Sequence, residues 1–205
     1  MRSEPYRSAR LWLYGDVGCP WSYLALARIR QLAVASPVVV GWRPLAKVAR
    51  TEGMNDPVAP SPAGAASPSP QAAEFESLGL PFEGPSADFD SRDALQALEF
   101  ARDLGQKVLD QTLDGLFAAN FTHLANLGER EELLDVCREL GLDREALELA
   151  LEDGRYEAEL DLAEAEAERY GIEQIPTILV GRSKIVGAAP KEVLATVVCQ
   201  AFDTE

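Results

Sequence analysis

Gly15-Asp16-Val17-Gly18-Cys19-Pro20-Trp21-Ser22-Tyr23-Leu24-Ala25 is the stretch whose reading decides how this chain folds. The run before it, Leu11-Trp12-Leu13-Tyr14, is bulky and apolar and predicts a buried strand. After it, Leu24, Ala25, Ile29 and Leu32 recur at helical spacing, which predicts a helix starting near Pro20. Proline suits a first helical position, because its missing N–H would have no partner there and its φ is already helical. Cys19 then falls at the N-cap, where the free amides of the first turn favour a thiolate over a thiol. Such placements bring a cysteine pKa from about 8.5 down to roughly 3.5–7.5, so a depressed value is expected at Cys19. A lone cysteine can equally be an inert small hydrophobe. That is the reading for Cys137, which shares a helical face with Leu133, Leu134 and Leu140, and for Cys199, which follows Val197-Val198. For Cys19, position alone leaves both readings open.

The 205 residues suffice for one substantial core, or a core with a modest insertion. A hydrophobic share of 47% and a charged share of 26% describe an ordinary globular protein. The net charge of −15 argues against nucleic acid and anionic membrane as partners, since both attract basic surfaces. No apolar run approaches the length of a membrane span. The first ten residues hold three arginines but no apolar signal core. The expectation is a cytoplasmic protein whose three cysteines stay reduced.

Working outward, Val38 to Trp42 predicts a second buried strand, ended by Arg43-Pro44 and preceded by a Ser36-Pro37 turn. Strand, helix and strand make a βαβ unit with a right-handed crossover. Thr51 to Pro85 carries Pro57, Pro60, Pro62, Pro68 and Pro70 among Ala, Gly and Ser, and is expected to be a linker or a lid. Helices are predicted from Ser91, a candidate N-cap, to a break at Gly105, and from Val108 to Phe121. Others are predicted at Glu129–Leu140, and at Arg144–Leu151 after an Asp143 cap. Arg155 to Tyr170 is one more, with Tyr156, Leu160, Ala163, Ala167 and Tyr170 inward. Its glutamates read as a solvated face and not a metal site, because the chain has a single histidine to join them. That residue, His123, is expected in a surface loop. Thr177–Val180 and Lys184–Val186 predict an antiparallel hairpin across Gly181-Arg182-Ser183, and Pro190 opens a last helix.

Tyr170-Gly171-Ile172-Glu173-Gln174-Ile175-Pro176-Thr177-Ile178-Leu179-Val180-Gly181 resembles the loop before the third strand of thioredoxin-like folds. Together with Cys19-Pro20-Trp21-Ser22-Tyr23-Leu24-Ala25 it makes the chain resemble the DsbA superfamily, in its cytosolic FrnE-type and 2-hydroxychromene-2-carboxylate isomerase-like branch. Leu116-Phe117-Ala118-Ala119-Asn120-Phe121, the Gly141-Leu142-Asp143 junction and Val186-Gly187-Ala188-Ala189-Pro190 extend the likeness over most of the chain. The resemblance implies an α/β thioredoxin-like fold, a four-stranded mixed sheet flanked by helices, with an all-helical insertion domain. Residues 10–48 and 155–203 would form the thioredoxin-like part, 49–90 the linker or lid, and 91–154 the insertion. It also implies that Ile175–Pro176 is cis and faces Cys19, and that the backbone of Ile175 meets an extended substrate. Pro20 and Trp21 complete the motif. A Trp-x-Pro after the second strand would bring Trp42 and Pro44 toward the rim of the site, the alternative being a core tryptophan at a strand end.

Oxidoreductases of the FrnE type carry cysteine at both ends of the four-residue motif; the isomerases and kappa-class glutathione transferases resemble Ser-Pro-x-Ser. This chain has the first residue of one and the last of the other. A Cys19 thiolate can form a mixed disulfide, but Ser22 cannot expel the product. An external thiol, glutathione or another small one, must then resolve it as co-substrate. The expected function is monothiol disulfide exchange on a disulfide-containing protein or small thiol, with no tightly bound cofactor and no metal. The alternatives are a glutathione-dependent isomerase or transferase, and a non-catalytic module that holds a peptide beside Pro176. Oligomeric state stays open, a homodimer included.

Overall fold

The computed structural model describes residues 11–35, 39–46, 70–85 and 88–202. Leu11–Gly15 forms β1, Pro20–Ala35 forms α1 and Val40–Pro44 forms β2. β1 and β2 are parallel, with Leu11 opposite Val40 and Gly15 opposite Pro44, as a βαβ unit requires. Strand β2 runs on through Arg43-Pro44, two residues beyond the expected end; Val38 lies outside the described residues. Proline is tolerated there because, among the described residues, β2 is an edge strand of the sheet and no N–H is needed at that position for a further ladder.

Thr177–Val180 (β3) and Ser183–Val186 (β4) complete a four-stranded sheet in the order β2-β1-β3-β4. β3 is antiparallel to both β1 and β4, so the sheet is mixed. Between β2 and β3 the described residues form helices only: α2 (Pro70–Ser77), α3 (Arg92–Leu104), α4 (Gln106–Phe121), α5 (Arg130–Glu139), α6 (Arg144–Glu152) and α7 (Glu157–Arg169). Helix α8 (Lys191–Phe202) closes the chain. One continuous apolar core runs from Leu13 and Ile178 of the sheet through Leu24 of α1 to Leu98, Leu113 and Leu147 of the helices.

Helix α2 falls within 51–85, where the prolines predict no helix over most of the segment. Pro70, counted against a helix, opens one at the position where proline fits. Phe75 is fully buried, stacked on Phe82 with centroids 4.3 Å apart and tilted against Tyr23 at 5.2 Å. Tyr23 in turn stacks on Phe117 at 4.9 Å. Burying one such ring contributes about 1.5–3 kcal/mol, which is what holds a short helix of low intrinsic stability. Residues 47–69, the rest of that segment, lie outside the described ones.

Asp143 caps α6 as expected, accepting from the Ala146 N–H at 3.0 Å. Ser91 precedes α3 but makes no side-chain cap; its hydroxyl turns elsewhere. Tyr170, expected inward, is 48% exposed, because α7 ends at Arg169 and leaves it one step past the buried face. The acidic face of α7 is partly paired: Arg92 of α3 bonds Glu157, Asp161 and Glu164. Arg102 of α3 donates to the Trp42 carbonyl at 2.9 Å and pairs with Glu99, tying the helices to β2.

Candidate active site

The site grows from the crossing of β1 into α1. Gly15 ends the strand where nothing larger fits, since a Cβ there would lie 2.8 Å from Ser22 Oγ and 2.9 Å from the Trp42 ring. Asp16 then closes a turn twice over. Its carbonyl accepts from the Cys19 N–H at 3.1 Å, and its carboxylate accepts from the Gly18 N–H at 2.7 Å. Aspartate favours such turns because its side chain can bond the backbone two residues on. Asn120 of α4, buried, donates to the Val17 carbonyl at 3.1 Å and holds the same turn from the other side.

Cys19 stands at the N-cap of α1. Its carbonyl accepts from Ser22 N–H at 3.0 Å and Tyr23 N–H at 3.3 Å, the first bonds of the helix. The thiol is 5% exposed, and Ser22 below it is fully buried. Burial pushes the Cys19 thiol up, and the negative charge of Asp16 pushes the same way. Hydrogen bonds from the Ser22 hydroxyl and from the amides of Ser22 and Trp21 pull it down. The net direction is upward, which corrects the expected depression. The helix amides are where the sequence put them, but the loss of water around the sulfur outweighs them.

The other strand end meets the same point. The Ile175–Pro176 peptide is cis. Thr177 pairs with Tyr14, so the register carried one residue on sets Pro176 beside Gly15, and Pro44 lies on the other flank of Gly15. Pro176 is buried, with its carbonyl accepting from Gly187 N–H at 2.7 Å, while Ile175 and Trp21 are half-buried. Cys19, Pro20, Trp21, Ser22, Ile175 and Pro176 therefore share one end of the sheet. Trp42 does not reach the rim: it is 3% exposed and packs edge-on to Phe117 at 5.9 Å, a core residue beneath Gly15. Pro44 is buried in β2.

His123 is exposed in the turn after α4, and among the described residues no hydrogen bond or ion pair joins it to Cys19. Cys137 is fully buried on α5, and burial pushes its thiol up to about 12. The side chain of Cys199 lies outside the described residues. Among the described residues no group of three or more His, Cys, Asp or Glu is arranged to hold a metal ion, and no helix is long and apolar enough to cross a membrane.

Three residues of the site were not picked out from the sequence. Asp16 carried a signal, the Asp-x-Gly spacing of a side-chain-closed turn. By sequence Ser91 is a helix cap, yet its hydroxyl donates to Asp16 Oδ2 at 2.7 Å across 75 residues. Asn120 sits within the Leu116–Phe121 stretch, where nothing local says what its amide reaches.

A family model described as DSBA-like thioredoxin domain matches residues 10–198. A comparison with curated proteins finds no match. Among solved structures, a probable DsbA oxidoreductase from Streptomyces coelicolor is similar at 25% identity with a TM-score of 0.78, over 95% of this chain and 90% of that one. A 2-hydroxychromene-2-carboxylate isomerase is similar at 20% identity with a TM-score of 0.74, over 95% and 96%. The cytosolic disulfide reductase DsbM from Pseudomonas aeruginosa is similar at 20% identity with a TM-score of 0.65, over 93% and 97%. With its strand–turn–helix around Cys19, its four-stranded mixed sheet and a family match from 10 to 198, the chain belongs to the DSBA-like thioredoxin domain family.

Proposed function

We propose that this protein is a monothiol disulfide oxidoreductase in which Cys19 is the nucleophile. The observation that carries the reading is the pairing of Cys19 with Ser22. A buried hydroxyl supports the sulfur at the start of α1, in the position where a second thiol would resolve a mixed disulfide. The Cys19 thiolate attacks a substrate disulfide, forms Cys19–S–S–R and releases the other half as a thiolate. Ser22 cannot displace R, so an external thiol attacks the R sulfur, forms a new disulfide with it and returns the Cys19 thiolate. The external thiol is oxidised and the substrate reduced. Glutathione fits this role by its chemistry, and a structure of the similar DsbM protein was determined with glutathione. Small-thiol mixed disulfides are the favoured substrates, in a cytoplasm that keeps the external thiol reduced.

Pro176 and Ile175, at the same sheet end, are proposed to receive the substrate chain, and Trp21 to cover it. Trp42 beneath Gly15 and Pro44 beside it in β2 are given the task of supporting that position. The helices from 91 to 154 are read as an insertion into the thioredoxin-like part. Glutathione-dependent isomerisation is the lesser reading, because Cys19 would compete for the cofactor thiol by forming a disulfide with it.

The test is turnover of a glutathione mixed disulfide with reduced glutathione as the resolving thiol. Wild-type protein should turn over and Cys19→Ser should not. Equal rates from the two proteins would contradict the reading.

A further inference from the structure

Arg28 lies in the middle of α1, the helix that Cys19 caps, and its side chain is only 11% exposed. A guanidinium always carries its charge and is costly to bury without acceptors. Here the acceptors come from two other elements. Nη1 donates to the Ala188 carbonyl at 2.6 Å and to the Ala189 carbonyl at 3.5 Å, while Nη2 donates to Glu74 of α2. The Glu74 contact is exposed and screened by water; the two carbonyl contacts are partly buried.

Residues 187–189 form the turn between β4 and α8. Gly187 has φ +86°, which glycine adopts without strain, and its carbonyl accepts from the Ala189 N–H at 3.0 Å. The Gly187 N–H donates to the Pro176 carbonyl at 2.7 Å, immediately before β3. Ala188 and Ala189 have no polar side chain with which to hold this turn. A guanidinium from 160 residues away in the chain does so instead.

We propose that Arg28 is a positioning residue for the substrate: by clamping the 187–189 turn to α1, it fixes Pro176 relative to Cys19 at the start of the same helix. The proposal rests on the reading of Ile175 and Pro176 as the receiver of the substrate chain and deepens it. Each step of the path is a hydrogen bond or a turn: Arg28 to Ala188, Ala188 to its neighbour Gly187, and Gly187 to Pro176. Without the guanidinium the Ala188 carbonyl loses its donor, and the loop spends part of its time away from the receiving position. Apparent affinity for the substrate chain falls by that fraction. The sulfur chemistry is spared, because no hydrogen bond of Arg28 goes to Cys19 or Ser22.

The test compares wild type, Arg28→Met and Arg28→Lys. Methionine keeps much of the apolar stem and removes the donors; lysine keeps the charge and can bond a carbonyl, but not with a fork. The substrate is a glutathionylated peptide, with reduced glutathione as the resolving thiol. Arg28→Met should raise KM for the peptide on the order of threefold to tenfold and keep kcat, with Arg28→Lys between it and wild type. Alkylation of Cys19 by iodoacetamide, a reagent with no chain to receive, should proceed at the wild-type rate in both variants. Hydrogen exchange of the Gly187 amide, followed by NMR, should be faster in Arg28→Met than in wild type. Circular dichroism checks each fold; if Arg28→Met does not fold, Arg28→Lys carries the same three readouts with smaller changes. An unchanged KM would overturn the proposal. So would a fall in kcat and alkylation rate alongside the rise in KM, which is what a general loosening of α1 gives, or an unchanged Gly187 exchange rate. If wild type does not turn over the peptide at all, the exchange reading fails and the role in substrate binding with it, while the Gly187 comparison still decides whether the clamp exists.

Discussion

Cys19 and Cys137 are both buried, both free, and in both burial pushes the thiol up. What surrounds them differs. On α5, Cys137 has desolvation as its whole electrostatic story, among Leu133, Leu134 and their neighbours in the core. Cys19 stands where a strand stops and a helix starts, so the Ser22 hydroxyl, the amides of Ser22 and Trp21 and the Asp16 charge all act on it. Burial alone thus says little about a thiol. The polar groups that share the burial decide whether it can ever hold a charge.

The sharpest way to break this contrast is to remove each sulfur in turn. Cys19→Ser should abolish thiol-dependent exchange, while Cys137→Ala should keep it nearly intact, read as turnover with a glutathione mixed disulfide. Next in size is Ser22→Cys, which places a second sulfur one helical turn from the first. It should gain insulin disulfide reduction that wild type lacks, and an internal bridge under mild oxidation; a glutathione-dependent isomerase or a binding module would show no gain.

The apolar cysteine has its own signature in stability. Burial pushes its thiol up to about 12 in the folded chain, from 9.0 for a free thiol. Between those values the folded chain keeps a proton that the unfolded chain has lost, so stability falls as pH rises. The slope is about 1.4 kcal/mol per pH unit from this one group. Cys137→Ala should flatten the alkaline loss in urea denaturation above about pH 9, and an identical slope in the two proteins would count against the buried thiol as its source. Ser22→Ala gives the smallest effect. It deletes one hydrogen bond to the sulfur, worth about 0.5–1.5 kcal/mol, and should slow Cys19 alkylation by roughly threefold to tenfold at a fixed pH below the midpoint.

The same contrast explains how far the sequence could be read. Strand β1, the start of α1 at Pro20 and the hairpin of β3 and β4 follow from apolar runs bounded by Gly and Pro, which are local signals. The Cys137 environment followed from helical periodicity alone. Helix α2 escaped because prolines in its neighbourhood were read as breakers, and only the long-range contact of Phe75 with Tyr23 and Phe82 shows why it forms. Ser91 escaped for the same kind of reason: by local rules it is a cap, and its actual partner is 75 residues away. The net direction of the Cys19 shift could not be read at all, because it is a balance between amides that the sequence places and a burial that only the packed fold sets.

Incubation of the native protein with oxidised glutathione, followed by intact-mass and peptide analysis, bears most directly on monothiol chemistry at Cys19. The expected result is a single glutathione adduct on the Cys19 peptide, none on the Cys137 peptide, and complete release by reduced glutathione. No adduct, or an adduct confined to another cysteine, would contradict it.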